Sequence, residues 1–260
     1  MSMPRTAVAL GALVLLATAA AAQAPDPALI EDVVAANRIL YDQGVVDGFG
    51  HVSARHDKDP NKFLLARSMA PGLVTAADIM EFDLDGKALD PQGRAVYLER
   101  FIHGEVYKLR PDVKSVVHSH SPAVIPFGVT GVPLKPIYHM SAFLGAGVPI
   151  FEIREAGGEA TDMLVRSNVL GAALAKKLGA SSVLLMRGHG NVVVAESVKL
   201  AVFRAVYTEI NARLEAEALR IGQGQVTFLN DAEAVKAAEV NTQVMGRAWE
   251  LWKLKAVQPK

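Results

Sequence analysis

"VVHSHSPAVIPF", residues 116–127, sets His118 and His120 one residue apart behind an apolar pair, Val116 and Val117. Alternate side chains of a β-strand share a face. A strand over 114–120 therefore points both imidazoles the same way, close enough to hold one metal ion. The spacing alone fits equally two hydrogen-bonded histidines near a strand end, because H-x-H is a short motif. A third ligand elsewhere in the chain decides between them, and His189 is the candidate. In "MRGHGNVVV", 186–194, glycines on both sides let the backbone turn sharply and leave the imidazole unobstructed. A turn histidine facing solvent is the plainer alternative. With His118 and His120 it completes a three-histidine set with open coordination positions, the usual form of a catalytic metal site.

Outward from this segment the chain mixes helices and strands. Helical spacing runs over 26–48 and ends at a glycine turn. Strands are expected at 50–56, 62–67 and 79–86, a helix at 95–110 stopped by Pro111, and a short helix beginning within 121–129. A strand at 148–153 and a helix at 161–179 follow, then two apolar strands over 182–196 around the Gly-His-Gly-Asn turn. A long helix over 197–222 has Ser197 as its cap, and a last helix spans about 231–255. Without strict βαβ alternation, this order favours a three-layer α/β/α sandwich whose central sheet is largely antiparallel.

The chain has 260 residues, 51% hydrophobic and 21% charged, enough for one sizeable core. Zero net charge and the lack of a basic stripe argue against a nucleic-acid partner. Cysteine is absent, so thiolate catalysis, disulfides and Cys-ligated metal are excluded, and any metal must use His, Asp or Glu. At the N-terminus Arg5 precedes the apolar stretch "AVALGALVLLATAAAA", and small residues offer cleavage after Ala22 or Ala24. Residues 1–24 read as a signal peptide and 25–260 as one domain, periplasmic or secreted. The apolar stretch is short and alanine-rich, which speaks against a stable membrane anchor.

Glu99 and His103 stand i, i+4 on the expected helix and share one face. Glu99 could pair at the surface with Arg100 or Lys108, or turn into the cleft as a fourth ligand or an acid/base. At this point the chain resembles the class II aldolase/adducin family. The matching stretches are "GFGHVSARH", "VTAADIMEFDLDG", "LERFIHGEVYKLRPDVKSVVHSHSPA" and "LLMRGHGNVVV", which together extend over about 28–222. The resemblance implies a homotetramer with active sites between neighbouring subunits. It also implies a divalent ion, Zn2+ or Mn2+ with Fe2+ possible, on His118, His120 and His189, with Glu99 beside it.

Departures from the family pattern are informative. Sugar-phosphate aldolases of this family seat phosphate with an Asn after the early glycine, a Ser-Gly turn and a Ser-Ser pair before the Glu. Here His51, the stretch around Arg67 and Ser68, and Tyr97-Leu98 stand in those places. Arg67 offers a planar fork suited to a carboxylate, or a surface ion pair. His139 in "PIYHMSAFLG" lies where those aldolases carry a tyrosine proton donor. "ARSMAPGLVTAADI" and "RGHGNVVV" look more like the decarboxylase branch. The expectation is a divalent-metal-dependent carbon–carbon lyase, foremost a decarboxylase of a small hydroxylated aromatic, heteroaromatic or hydroxy-keto carboxylic acid, in which the cation stabilises the enolate. The competing readings are an aldolase on a non-phosphorylated hydroxy-keto substrate, a non-haem iron oxygenase, and a structural module of adducin type. Glu99 and His139 are the candidate catalytic residues. His51, Arg67 and Ser68 are the candidate substrate contacts.

Overall fold

The computed structural model describes residues 23–257. The signal-peptide reading of 1–24 falls almost wholly outside them. The element order is α1 (Pro27–Asp42), β1 (His51–Arg55), β2 (Lys62–Ala66), β3 (Ile79–Asp83), α2 (Arg100–Leu109), β4 (Ser115–Ser119), α3 (Ile125–Thr130), β5 (Ile150–Phe151), α4 (Arg154–Gly157), α5 (Asn168–Leu178), β6 (Val183–Met186), β7 (Gly190–Ala195), α6 (Val198–Ile221), α7 (Asp231–Val244) and α8 (Gly246–Val257). The strands form one seven-stranded sheet in the order β3-β2-β1-β4-β7-β6-β5. Every neighbouring pair is antiparallel except β5 with β6.

Strands β1, β4, β6 and β7 are buried along their whole length, which is why they read as near-continuous apolar runs. Alternate side chains serve two cores. Val52, Val117 and Val193 pack with Ile39 of α1, Val202 of α6 and Trp249 of α8. Val116, Val192 and Leu184 pack on the other face with Ile102 and Val106 of α2 and Leu174 of α5. The expected three-layer sandwich with a largely antiparallel sheet is the one observed.

Helix α6 also carries buried polar side chains that hold the long connection between β4 and β5. Ser197 caps the helix by accepting from the Leu200 amide. Glu209 accepts from the Ser121 hydroxyl and the Ala123 amide, and Asn211 accepts from the Ile137 amide at 3.0 Å and the Ser141 hydroxyl at 2.5 Å. Among the described residues no helix is long and apolar enough to cross a membrane.

Several expected boundaries move, each for a tertiary reason. The helix expected from 95 begins only at Arg100, because Tyr97 is drawn aside to donate its hydroxyl to the Met69 carbonyl at 2.5 Å. Helix α5 starts at Asn168 rather than 161, since 163–165 is drawn toward the histidines by backbone hydrogen bonds. The strand expected over 148–153 shrinks to two residues as the chain turns into α4. The last helix is broken at Met245. Its first half packs on the 3-10 segment His139–Ala146 and its second half on α1, and Gly246 lowers the cost of the break.

Candidate metal centre and adjoining cavity

His118 sits on β4 opposite His51 of β1 and Val192 of β7. His120 lies one residue beyond the end of β4, so the shared strand face explains His118 but not the final aim of His120. His189 occupies the turn between β6 and β7. Its glycines act for different reasons. Gly188 has φ +63°, and at Gly190 a Cβ would lie 2.0 Å from the Ser119 carbonyl oxygen, so the two strands could not approach. Glu99 occupies the N-cap position of α2. The ligand atoms of Glu99, His118, His120 and His189 all lie within 4.8 Å of one another.

The hydrogen bonds around these rings show which nitrogens are free. His118 Nδ1 donates to the Asn191 carbonyl at 3.1 Å, and His189 Nδ1 donates to the Met163 carbonyl at 2.8 Å. A carbonyl only accepts, so Nδ1 carries a proton in both rings, and whenever a ring is neutral its Nε2 presents a lone pair. His118 Nε2 is buried without an aligned hydrogen bond, 3.3 Å from Glu99 Oε2. His189 Nε2 is also 3.3 Å from Glu99 Oε2 and 2.9 Å from His120 Nε2. Imidazole lone pairs brought this close to one another and to a carboxylate oxygen fit a bound cation. The N,N,N,O donor set suits Zn2+, Mn2+ or Fe2+. The backbone carbonyls behind the rings are the outer partners such ligands ordinarily have. Met163 holds its carbonyl in place with φ +69°, a left-handed conformation unusual for a side chain of this size.

Burial alone would raise the Glu99 carboxyl, but His118 and His189 beside Oε2 hold it well below the usual carboxylate range. Glu99 Oε1 accepts from the Val165 amide at 2.9 Å. His103, expected on the same helical face as Glu99, turns elsewhere and hydrogen-bonds His51 and Ser53. Since Glu99 precedes the helix, i, i+4 spacing does not join the two. Burial pulls His103 down to about 3 and His51 well below its ordinary value, so both rings are neutral.

A cavity of about 370 Å³ opens beside the cluster, lined by Phe49, Met69, Tyr97, Leu98 and Leu164 along its walls, with His51, Ser68, Glu99, His118 and His120 also in contact. Among the described residues no Lys or Arg is in that lining. Arg67 stands outside it, its Nε donating to Asp78 Oδ1 at 2.7 Å, with the guanidinium half-exposed. His139 is exposed at the start of the 3-10 segment and does not line this chain's cavity; Asn241 Nδ2 donates to its carbonyl at 2.6 Å. The apolar walls, Ser53 and Tyr107 were not singled out from the sequence. The pairs His51/Ser53 at i, i+2 and His103/Tyr107 at i, i+4 were the available signal.

The model of the class II aldolase and adducin N-terminal domain matches residues 31–216. A decarboxylase, tropJ of Talaromyces stipitatus, is 38% identical over 235 residues, 82% of this chain and 88% of the relative. The 3,4-dihydroxyphthalate decarboxylase of Arthrobacter keyseri is 30% identical over 236 residues, 84% of this chain and 90% of the relative. Among solved structures, L-fuculose 1-phosphate aldolase from Glaciozyma antarctica has the same fold, with TM-score 0.71 at 22% identity over 88% of each chain. With its four-residue ligand cluster at the end of the sheet, the chain belongs to the class II aldolase and adducin family and is one of its lyases.

Proposed function

We propose that this lyase decarboxylates a small hydroxylated aromatic or heteroaromatic dicarboxylate. The observation that carries the reading is the cavity itself. Beside the ligand cluster its walls are apolar and aromatic, and no Lys or Arg among the described residues lines it. A planar aromatic ring suits such walls better than a sugar, whose hydroxyls would meet few partners along them. The decarboxylases among the relatives support the same class. A divalent ion on His118, His120 and His189, with Glu99 beside it, would supply Lewis acidity for the electron pair left on carbon when CO2 departs.

The chain's own groups take the other tasks. Glu99, held ionised between two imidazoles, is a poor acid and orients the ligand set. Phe49, Leu98 and Leu164 cover the ring and exclude water. His51 and Ser68 offer hydrogen bonds to substrate oxygens. The vacated carbon needs a proton, and we assign its delivery to His139 of a neighbouring subunit in a homotetramer, since His139 is exposed and outside its own chain's cavity.

The test is to incubate metal-loaded protein with hydroxylated benzene and pyridine dicarboxylates, 3,4-dihydroxyphthalate first, in D2O. CO2 release with one deuterium at the vacated carbon is the expected result. Aldehyde release from hydroxy-keto acids alone, or oxygen uptake, would overturn it. Export belongs to the same proposal and rests on Arg5 and the apolar stretch before Ala22. Protein isolated from its native cell should lack residues 1–22 or 1–24 by intact mass, and a retained Met1 or Ser2 would refute export.

A further inference from the structure

Behind His51 runs a line of buried side chains that the ligand cluster does not use. His51 Nδ1 lies 2.7 Å from His103 Nε2, His103 Nδ1 lies 2.6 Å from Ser53 Oγ, and Ser53 Oγ lies 2.7 Å from the Tyr107 hydroxyl. His51 and Ser53 share one face of β1, and His103 and Tyr107 share one face of α2, so strand and helix interlock through these four groups. None of them is more than 4% exposed.

Proton counting decides the direction of the line. In one arrangement Tyr107 donates to Ser53, Ser53 donates to His103 Nδ1, and His103 Nε2–H donates to His51 Nδ1. His51 then carries its own proton on Nε2. In the reverse arrangement His51 Nδ1–H donates to His103, His103 donates to Ser53, and Ser53 donates to Tyr107. That leaves the Tyr107 proton without an acceptor among the described residues, in a place closed to water. An unpaired buried hydroxyl costs roughly 1–3 kcal/mol, so the first arrangement prevails.

At the other end of the line His51 meets the cavity. Its ring centroid is 5.2 Å from that of His118, and its Nε2 makes no hydrogen bond to a described residue. Among the described residues the lining holds no Lys or Arg, and the Tyr97 hydroxyl is already donated to the Met69 carbonyl. Outside the ligand cluster, side-chain donors for a substrate anion therefore come down to His51 and Ser68. We infer that the Tyr107–Ser53–His103 line fixes His51 as its Nε2–H tautomer and makes it the donor that binds a carboxylate oxygen of the substrate. The substrate half of this inference rests on the decarboxylase reading, and the tautomer half does not. His51 is the contact, and Ser53, His103 and Tyr107 are positioning residues.

Side-chain 15N NMR of the full-length, metal-loaded protein tests it, with His51→Gln used to assign the ring. The expected spectrum has the His51 proton on Nε2, and phthalate, an inert dianion, shifts that nitrogen. In Ser53→Ala the tautomer becomes mixed and the phthalate shift is lost. KM for the carboxylate substrate rises roughly 10-fold, the low end for a hydrogen bond to a charged group, while kcat changes much less and metal content stays at the wild-type level. A wild-type His51 proton on Nδ1 overturns the inference even if the variant fails to fold. A phthalate shift and KM unchanged in Ser53→Ala overturn it as well. An Nε2–H tautomer that responds to phthalate in a protein that decarboxylates nothing would sustain the tautomer half of the inference and sink the decarboxylase reading, with the substrate half that rests on it.

Discussion

Glu99 at the end of the sheet and Glu215 on α6 are both buried carboxylates, yet their surroundings set them in opposite states. Glu99 Oε2 lies 3.3 Å from both His118 Nε2 and His189 Nε2, and the carboxyl is held well below its usual range. Glu215 Oε2 accepts from the Lys135 amide at 3.0 Å and from Asn211 Nδ2 at 3.2 Å, while its Oε1 is buried without a partner. Burial pushes Glu215 up to about 7 against these amides and the more distant Lys135 charge. Burial has the same sign at both sites. The difference is that Glu99 faces groups able to carry or hold positive charge, and Glu215 faces mainly neutral dipoles. One carboxylate is held as an anion beside the imidazoles, and the other ties the loop before β5 to α6.

The most severe way to break this comparison is to take away the imidazoles. Replacing His118, His120 or His189 by Ala should bring bound metal, measured by elemental analysis, to background, with turnover lost alongside. Full metal in all three single variants would remove the basis for treating Glu99 as part of a ligand set. Next comes the source of the proton. If Glu99 is held ionised, His139→Asn should keep its metal and lose kcat by about 10²–10⁴-fold, the range for a general acid. Full turnover in His139→Asn, together with an inactive but metal-loaded Glu99→Gln, would transfer the acid role to Glu99.

Glu215 sharpens the comparison from the other side. Its folded-state value of about 7 lies above the ordinary 4.5, so the folded chain keeps a proton that the unfolded chain releases between these values. Stability should therefore fall as pH rises from about 4.5 to about 7 and level off above, by at most about 3 kcal/mol at ~1.4 kcal/mol per pH unit. Denaturant titrations across that window should lose this slope in Glu215→Gln. An unchanged slope would show that Glu215 is not the group responsible. The smallest effect is expected at Ser119→Ala. Its hydroxyl donates to Asn191 Oδ1 at 2.7 Å, whereas His118 leans on the Asn191 backbone carbonyl. The variant should lose about 1 kcal/mol of stability and keep its metal; loss of metal would mean that the Asn191 side chain steadies the centre.

Much of this was legible in the residues. Alternation marked β1, continuous apolar runs marked β4, β6 and β7, and Ser197 marked the start of α6, because apolar pattern and capping are properties of a few consecutive residues. The H-x-H pair and the glycine-flanked His189 declared a ligand set once the family resemblance joined them. Other features depended on partners far along the chain. Asn191 and His118 are 73 residues apart, Val165 and Glu99 66, and His103 and His51 52. A histidine's role follows from what its second nitrogen meets, and a carboxylate's charge from what faces it across the core. The sequence by itself therefore determined the sheet, the layers and three imidazoles for one centre. Only the tertiary structure decided that Glu99 meets them from the cap position before α2 rather than from the helix, and that His103 turns away to His51, because hydrogen bonds and charges act through space between segments whose meeting no local period records.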